Sequence, residues 1–182
     1  MTIKVTKAKV KNSQLELAYN RIDSDNGATV EVTERLPYIV HPDLTSTFIK
    51  LRKHLAKLCD LREGDILKEE NFEMFNAEDL SNLFVSSFTV SGDDENEGVV
   101  ISGGKKLSSG KIINLNTPFT RFTDEVDPYL FENDLYVDIQ ACIYEIEEYL
   151  KGKFAVKQME IPFDGDPDAD EGVRVVEMSE AV

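Results

Sequence analysis

Cysteine and histidine are scarce in this chain of 182 residues, with two of each. His41 and His54 stand thirteen positions apart and no cysteines are closely paired, so the spacings that build zinc sites are missing. Cys59 and Cys142 both fall within apolar helical patterns, where a free thiol behaves as a small hydrophobe. This predicts a reducing compartment and no disulfide. Basic residues are also in short supply: 20 Lys and Arg against 35 Asp and Glu give a formal charge of −15. From Met159 to Val182 eight carboxylates face one arginine, so this end supplies −7 and the remainder −8. Such a balance argues against a protein that grips duplex DNA by neutralising its phosphates, although it leaves room for a local basic patch. Long apolar runs are absent as well. The opening MTIKVTKAKVKN has no apolar leader region, and no later run approaches about 18 apolar residues. The expectation is a cytoplasmic protein that neither enters nor crosses a membrane.

What is present is a foldable chain, 41% hydrophobic and long enough for one domain with its own core. Residues 2–40 read as three strands. Leu15, Leu17 and Tyr19 alternate with polar neighbours, and Asn26-Gly27 closes a hairpin signal before Val30 and Val32, which mark the inward face of the returning strand. In the first strand the apolar set changes face between Ile3, Val5 and Ala8, Val10, predicting a bulge. Leu44, Phe48, Leu51, Leu55 and Leu58 form the stripe of a first helix, whose other face carries Lys50, Arg52, Lys53, His54 and Lys57. Residues 62–81 read as a less regular connection. Strands resume over 83–90, 98–101 and 111–119, and a last helix runs from about Asn133 to Leu150 with Gly152 as its stop. The order βββαβββα is an α+β arrangement: antiparallel sheet with two amphipathic helices. The first strands around one helix also match an OB-type barrel. Residues 1–156 form the single domain. Residues 157–182, acidic, with Pro162 and Pro167 and no apolar period, form a flexible tail.

No reaction is declared by this pattern. In GGKKLSSGK, Gly104 and Gly110 enclose five residues where a phosphate-binding loop needs four, and Lys111 is followed by Ile112, so the segment reads as a hairpin turn. Asp166, Asp168, Asp170 and Glu177 match four positions of a calcium loop, but Glu171 occupies the place of its obligatory glycine; the run from Asp93 fails at Gly104. His54 and Cys59 do not face each other on a helix, and no strained serine elbow is present. The chain is therefore read as non-enzymatic, with no metal and no cofactor. Lys7, Lys9, Lys11, Lys53, Lys105, Lys106 and Lys111 are the candidates for touching nucleic acid, helped by Lys4, Lys50, Arg52 and Lys57. Tyr19, Tyr38, Phe119 and Phe122 offer stacking faces if exposed.

Gln158-Met159-Glu160-Ile161-Pro162-Phe163 follows the last helix. It resembles the linear motif with which bacterial replication proteins dock on the DNA polymerase sliding clamp. Gln158 would supply amide hydrogen bonds, Met159, Ile161 and Phe163 the apolar anchors, and Pro162 lowers the ordering cost. More broadly, IKVTKAKVKNSQLELAY, GVVISGGKKLSSGKIINLNTP and the helix ending YLKGK resemble small early-region proteins of bacteriophages and prophages. That resemblance implies a role in phage DNA metabolism or in handling host machinery, with no established activity attached. Three readings follow: an accessory protein of phage-type DNA replication or recombination whose tail docks on a clamp, a single-strand nucleic-acid binder with an OB-like core and an acidic tail, and an acidic DNA mimic that blocks a host defence protein.

Overall fold

The computed structural model describes residues 2–23, 27–72 and 78–155. One antiparallel sheet carries β1 (Thr2–Lys11), β2 (Gln14–Ile22), β3 (Thr29–Arg35), β4 (Leu83–Ser91), β5 (Gly98–Lys106) and β6 (Ile112–Asn116), in the order β3-β2-β1-β4-β5-β6. A short β7 (Thr120–Arg121) extends the far edge by pairing with β5. Helices α1 (Pro42–Leu58) and α2 (Glu132–Leu150) complete the α+β domain. The clamp motif at Gln158, Met159, Ile161 and Phe163 and the calcium-like spacing from Asp166 lie outside the described residues.

The bulge expected in β1 is present, as a register shift between Val5 and Lys7. It keeps Val5 and Ala8 on one face, both buried opposite Tyr19 and Leu17. Val32 follows Tyr19 onto that face, whereas Val30, opposite Arg21 at the strand's start, is exposed. The glycine-rich segment after β5 is a hairpin turn, with the Gly110 amide donating to the Leu107 carbonyl. Pro118 ends the sixth strand earlier than the alternation through Phe119 predicts, and the chain re-enters the sheet only at β7.

Two corrections concern architecture. The OB-type strand order is followed through β5, but among the described residues β3 does not pair with β5; the sheet stays open and continues into β6. The polar face expected for α1 is also largely buried. α1 lies on β4 and β5, where Phe48 meets Phe88 and Leu55 faces Gly103, and α2 packs against α1 and into the same core. Lys53 and His54, expected to face solvent, are 7% and 0% exposed. Lys57 donates to the carbonyls of Gly64 and Leu67 and so ties down the turn after α1. Cys59, expected on an apolar face, is the half-buried cap of α1, whereas Cys142 is fully buried; both thiols are free. Burial pushes the Cys142 thiol up to about 12, so it is inert as a nucleophile.

Both helices therefore stand on one side of the sheet. Leu15, Leu17, Phe88, Val99 and Ile101 pack with Leu44, Leu51, Leu135 and Ile139 into one core. Among the described residues no helix covers the opposite sheet face, the usual division of an antiparallel sheet into a packed side and an open side.

Candidate functional site

The open face can be followed across the strands from their register. One row runs Arg35, Glu16, Lys9, Ser87, Ser102, Asn116, and the next runs Thr33, Ala18, Lys7, Thr89, Val100. Because side chains alternate between faces, Lys7, Lys9 and Lys11 stand on the side opposite buried Ala8 and partly buried Val10. Lys4, opposite Asn20, joins them at the near end, and Lys106, opposite Ile112, lies across β5. Lys7 and Lys11 are exposed and have no ion pair among the described residues. Lys9 reaches Glu16 only at 3.8 Å, with Arg35 at 3.7 Å from the same carboxylate, and Lys4 is held by Glu97 at 2.8 Å.

An aromatic ring joins this face where the sequence reading placed none. Phe84 stands opposite Gly104, and a Cβ on that glycine would come within 2.7 Å of the ring. The glycine thus lets Phe84 lie across β5 beside Asn114 and Lys106. The four aromatics proposed from sequence do otherwise: Tyr19 and Phe122 are buried, Tyr38 is exposed but stacked on Phe154, and Phe119 is exposed beside Gly98.

Charge is unevenly spread along the strands. Lys9, Lys11, Arg35, Lys106 and Lys111 gather toward the end where β1 turns into β2 and β5 turns into β6. Asp93, Asp94, Glu95 and Glu97 occupy the β4–β5 connection at the other end, close to the loop bearing Asp124. Lys4 already pairs with Glu97 and Arg121 with Asp124 at 3.6 Å, which interrupts that acidic surface.

Of the seven lysines singled out from sequence, Lys111 lies in the turn before β6, and Lys105 and Lys53 are off the open face altogether. Lys105 points to the helix side and pairs with Glu63 at 2.6 Å, holding that carboxyl down at about 2, with help from Asn82. Lys53 is inside a cluster between α1 and α2, with its Nζ 3.0 Å from Asp138 Oδ2 and 4.7 Å from the centroid of the Phe72 ring. The same carboxylate oxygen lies 3.1 Å from His54 Nε2, and His54 Nδ1 lies 3.2 Å from the Tyr129 hydroxyl. A carboxylate only accepts, so Nε2 carries the proton and Nδ1 accepts from Tyr129. Burial works to raise the Asp138 carboxyl, but hydrogen bonds from His54 and Lys53 outweigh it and hold it low. Burial lowers His54 despite Asp138, so the ring is neutral beside a Lys53–Asp138 ion pair. Burial, with Asp134 and Asp138, raises Tyr129 far above the usual phenol range. The cluster joins α1 to α2 and acts as an internal clasp between the helices.

Asp138 was missed from sequence, yet a signal was present: it sits among Leu135, Ile139 and Cys142 on the apolar stripe, where a carboxylate calls for a buried cation. The lysine comb had a signal too, since Lys7, Lys9 and Lys11 repeat with period two against Ala8 and Val10. Among the described residues no group of His, Cys, Asp and Glu is placed to hold a metal ion, and no helix is long and apolar enough to cross a membrane. Comparison with protein-family models, with curated proteins and with solved structures finds no match for this chain.

Proposed function

We propose that this protein is a non-enzymatic accessory factor of phage-type DNA replication or recombination that holds single-stranded nucleic acid on the open face of its sheet. The observation that carries the reading is the row Lys7, Lys9, Lys11 on that face, in a chain of charge −15. The three side chains stand in a single line along β1, which suits one phosphate backbone better than the two of a duplex. Ser87, Ser102, Asn114 and Asn116 supply uncharged donors, and Phe84 one stacking surface for a base. The acidic loops at the far end repel phosphate and favour contact at the basic end.

Fluorescence anisotropy with an oligothymidine of about 16 nucleotides tests this. Binding is expected at about 1–100 µM at low salt, weakening as salt rises. Overturning it requires no binding at about 100 µM either by the native chain or by a full-length variant with Asp164, Asp166, Asp168, Asp170 and Glu171 changed to their amides.

A second reading is supported by Gln158, Met159, Ile161 and Phe163, which suit docking on a sliding clamp. Calorimetric titration of the full chain into a bacterial clamp should give a complex near micromolar affinity, about −8 kcal/mol. Phe163→Ala should weaken it about tenfold or more, since losing a pocket-filling anchor costs about 2 kcal/mol. No heat from the native chain would remove the clamp.

A further inference from the structure

The geometry points to the open sheet face having a second occupant: the chain's own acidic segment, 156–182, which competes there with nucleic acid. This rests on the nucleic-acid reading of that face for its consequence, but the contact itself does not depend on it.

Three observations carry the inference. The first is where the described chain ends. Phe154 pairs with Val40, the Ala155 amide donates to the Ile39 carbonyl, and the Val40 amide donates to the Ser13 carbonyl at 2.9 Å. Ser13 lies in the turn after Lys11, so the segment departs beside the basic end of the comb. The second is charge. The segment holds eight carboxylates, and Asp164, Asp166, Asp168 and Asp170 recur at every second position, the interval at which Lys7, Lys9 and Lys11 recur on β1. The third is reach. Asp164 lies nine residues beyond Ala155, and nine residues can reach at most about 30 Å, whereas Lys11 to Lys7 covers about 13 Å of strand.

A segment tethered this close acts at an effective concentration of about a millimolar. Weak ionic attraction is then enough to cover the face for much of the time without preventing a longer polyanion from displacing it. Asp124 and the 93–97 loop cannot substitute for the segment, because they are fixed at the opposite end of the sheet.

The test uses the full-length chain and the amide variant of Asp164, Asp166, Asp168, Asp170 and Glu171. Amine acetylation followed by mass spectrometry should label Lys7, Lys9 and Lys11 about twice as fast or more in the variant, as expected when a segment covers its site at least about half the time. Lys50, exposed on α1, is the internal control and should not change. Oligothymidine should bind the variant about twofold more tightly or better at low salt, the same factor as the labelling, with the gap closing as salt screens the contact. Equal labelling in both forms overturns the inference whatever the oligonucleotide does. Faster labelling of the variant without oligonucleotide binding keeps the segment on the face and overturns only the nucleic-acid reading.

Discussion

Lys53 and Asp138, one from each helix, meet at 3.0 Å with both side chains at most 10% exposed, and the same carboxylate accepts from the neutral ring of His54. The ion pair and the His54 hydrogen bond thereby fix how α2 seats on α1. Asp138→Asn should leave the ammonium buried without its counter-charge and cost about 3–5 kcal/mol. Replacing both residues by apolar ones, Lys53→Met with Asp138→Leu, should recover part of that loss, since the buried His54 Nε2–H still loses its acceptor. Urea denaturation of the three forms checks it, and a double variant no more stable than Asp138→Asn would refute the assignment.

His54 predicts a pH dependence. Its folded pKa lies below the ordinary 6.5, so as pH falls through 6.5 the unfolded chain takes up a proton that the folded chain refuses. Stability is therefore lost on acidification, at up to about 1.4 kcal/mol per pH unit. Asp138, whose folded pKa is also depressed, loses its contribution only further down, below the ordinary carboxylate value. His54→Gln should flatten the dependence of Tm between pH 7 and 5 (the range just below an ordinary histidine) and leave the steeper acid limb in place.

Gly103 faces the helices, and a Cβ there would sit 2.0 Å from the Phe84 carbonyl and 3.0 Å from Leu55 Cδ2. Gly103→Ala should destabilise the domain by about 1–3 kcal/mol, the range for forcing atoms into a packed core. Thermal melting should show the loss. A melting point equal to that of the native protein would mean that the Phe84 carbonyl of β4 and Leu55 of α1 both stand further from β5 than described.

On the open face, changing Lys7, Lys9 and Lys11 together to Gln should alter the unfolding free energy by no more than about half a kcal/mol per substitution, as for surface positions generally. If each lysine meets a phosphate, the slope of log affinity against log salt should fall by about 2, at about 0.7 per contact for a single strand. An unchanged slope would move the binding surface elsewhere.

Much of the domain was legible in the chain because local rules and tertiary fold agree. The two-residue period of Leu15, Leu17 and Tyr19, the face change in β1 and the glycine stop after α2 each depend on neighbours in sequence. What was not legible depends on contacts between distant segments. Nothing within α1 shows that α2 will cover Lys53 and His54, since Asp138 is 84 residues from His54. Nor does a propensity locate Phe84 on the open face, because its place depends on Gly104 across the ladder. For the site, the lysines of β1 were readable as a set, while Lys53 and Lys105 were separated from it by partners that only the fold supplies.

The joint at Val40 and Phe154 also has a mechanical meaning. There the end of the domain is fastened to the start of α1: Phe154 stacks on Tyr38 at 4.0 Å, and the Tyr149 hydroxyl donates to the Tyr38 carbonyl at 2.6 Å. Any tension applied along the C-terminal segment arrives first at this fastening. It must strip Phe154 from Val40 before α2 feels the load, so the joint works as a strain relief for that helix and passes the pull through Val40 to the turn at Ser13.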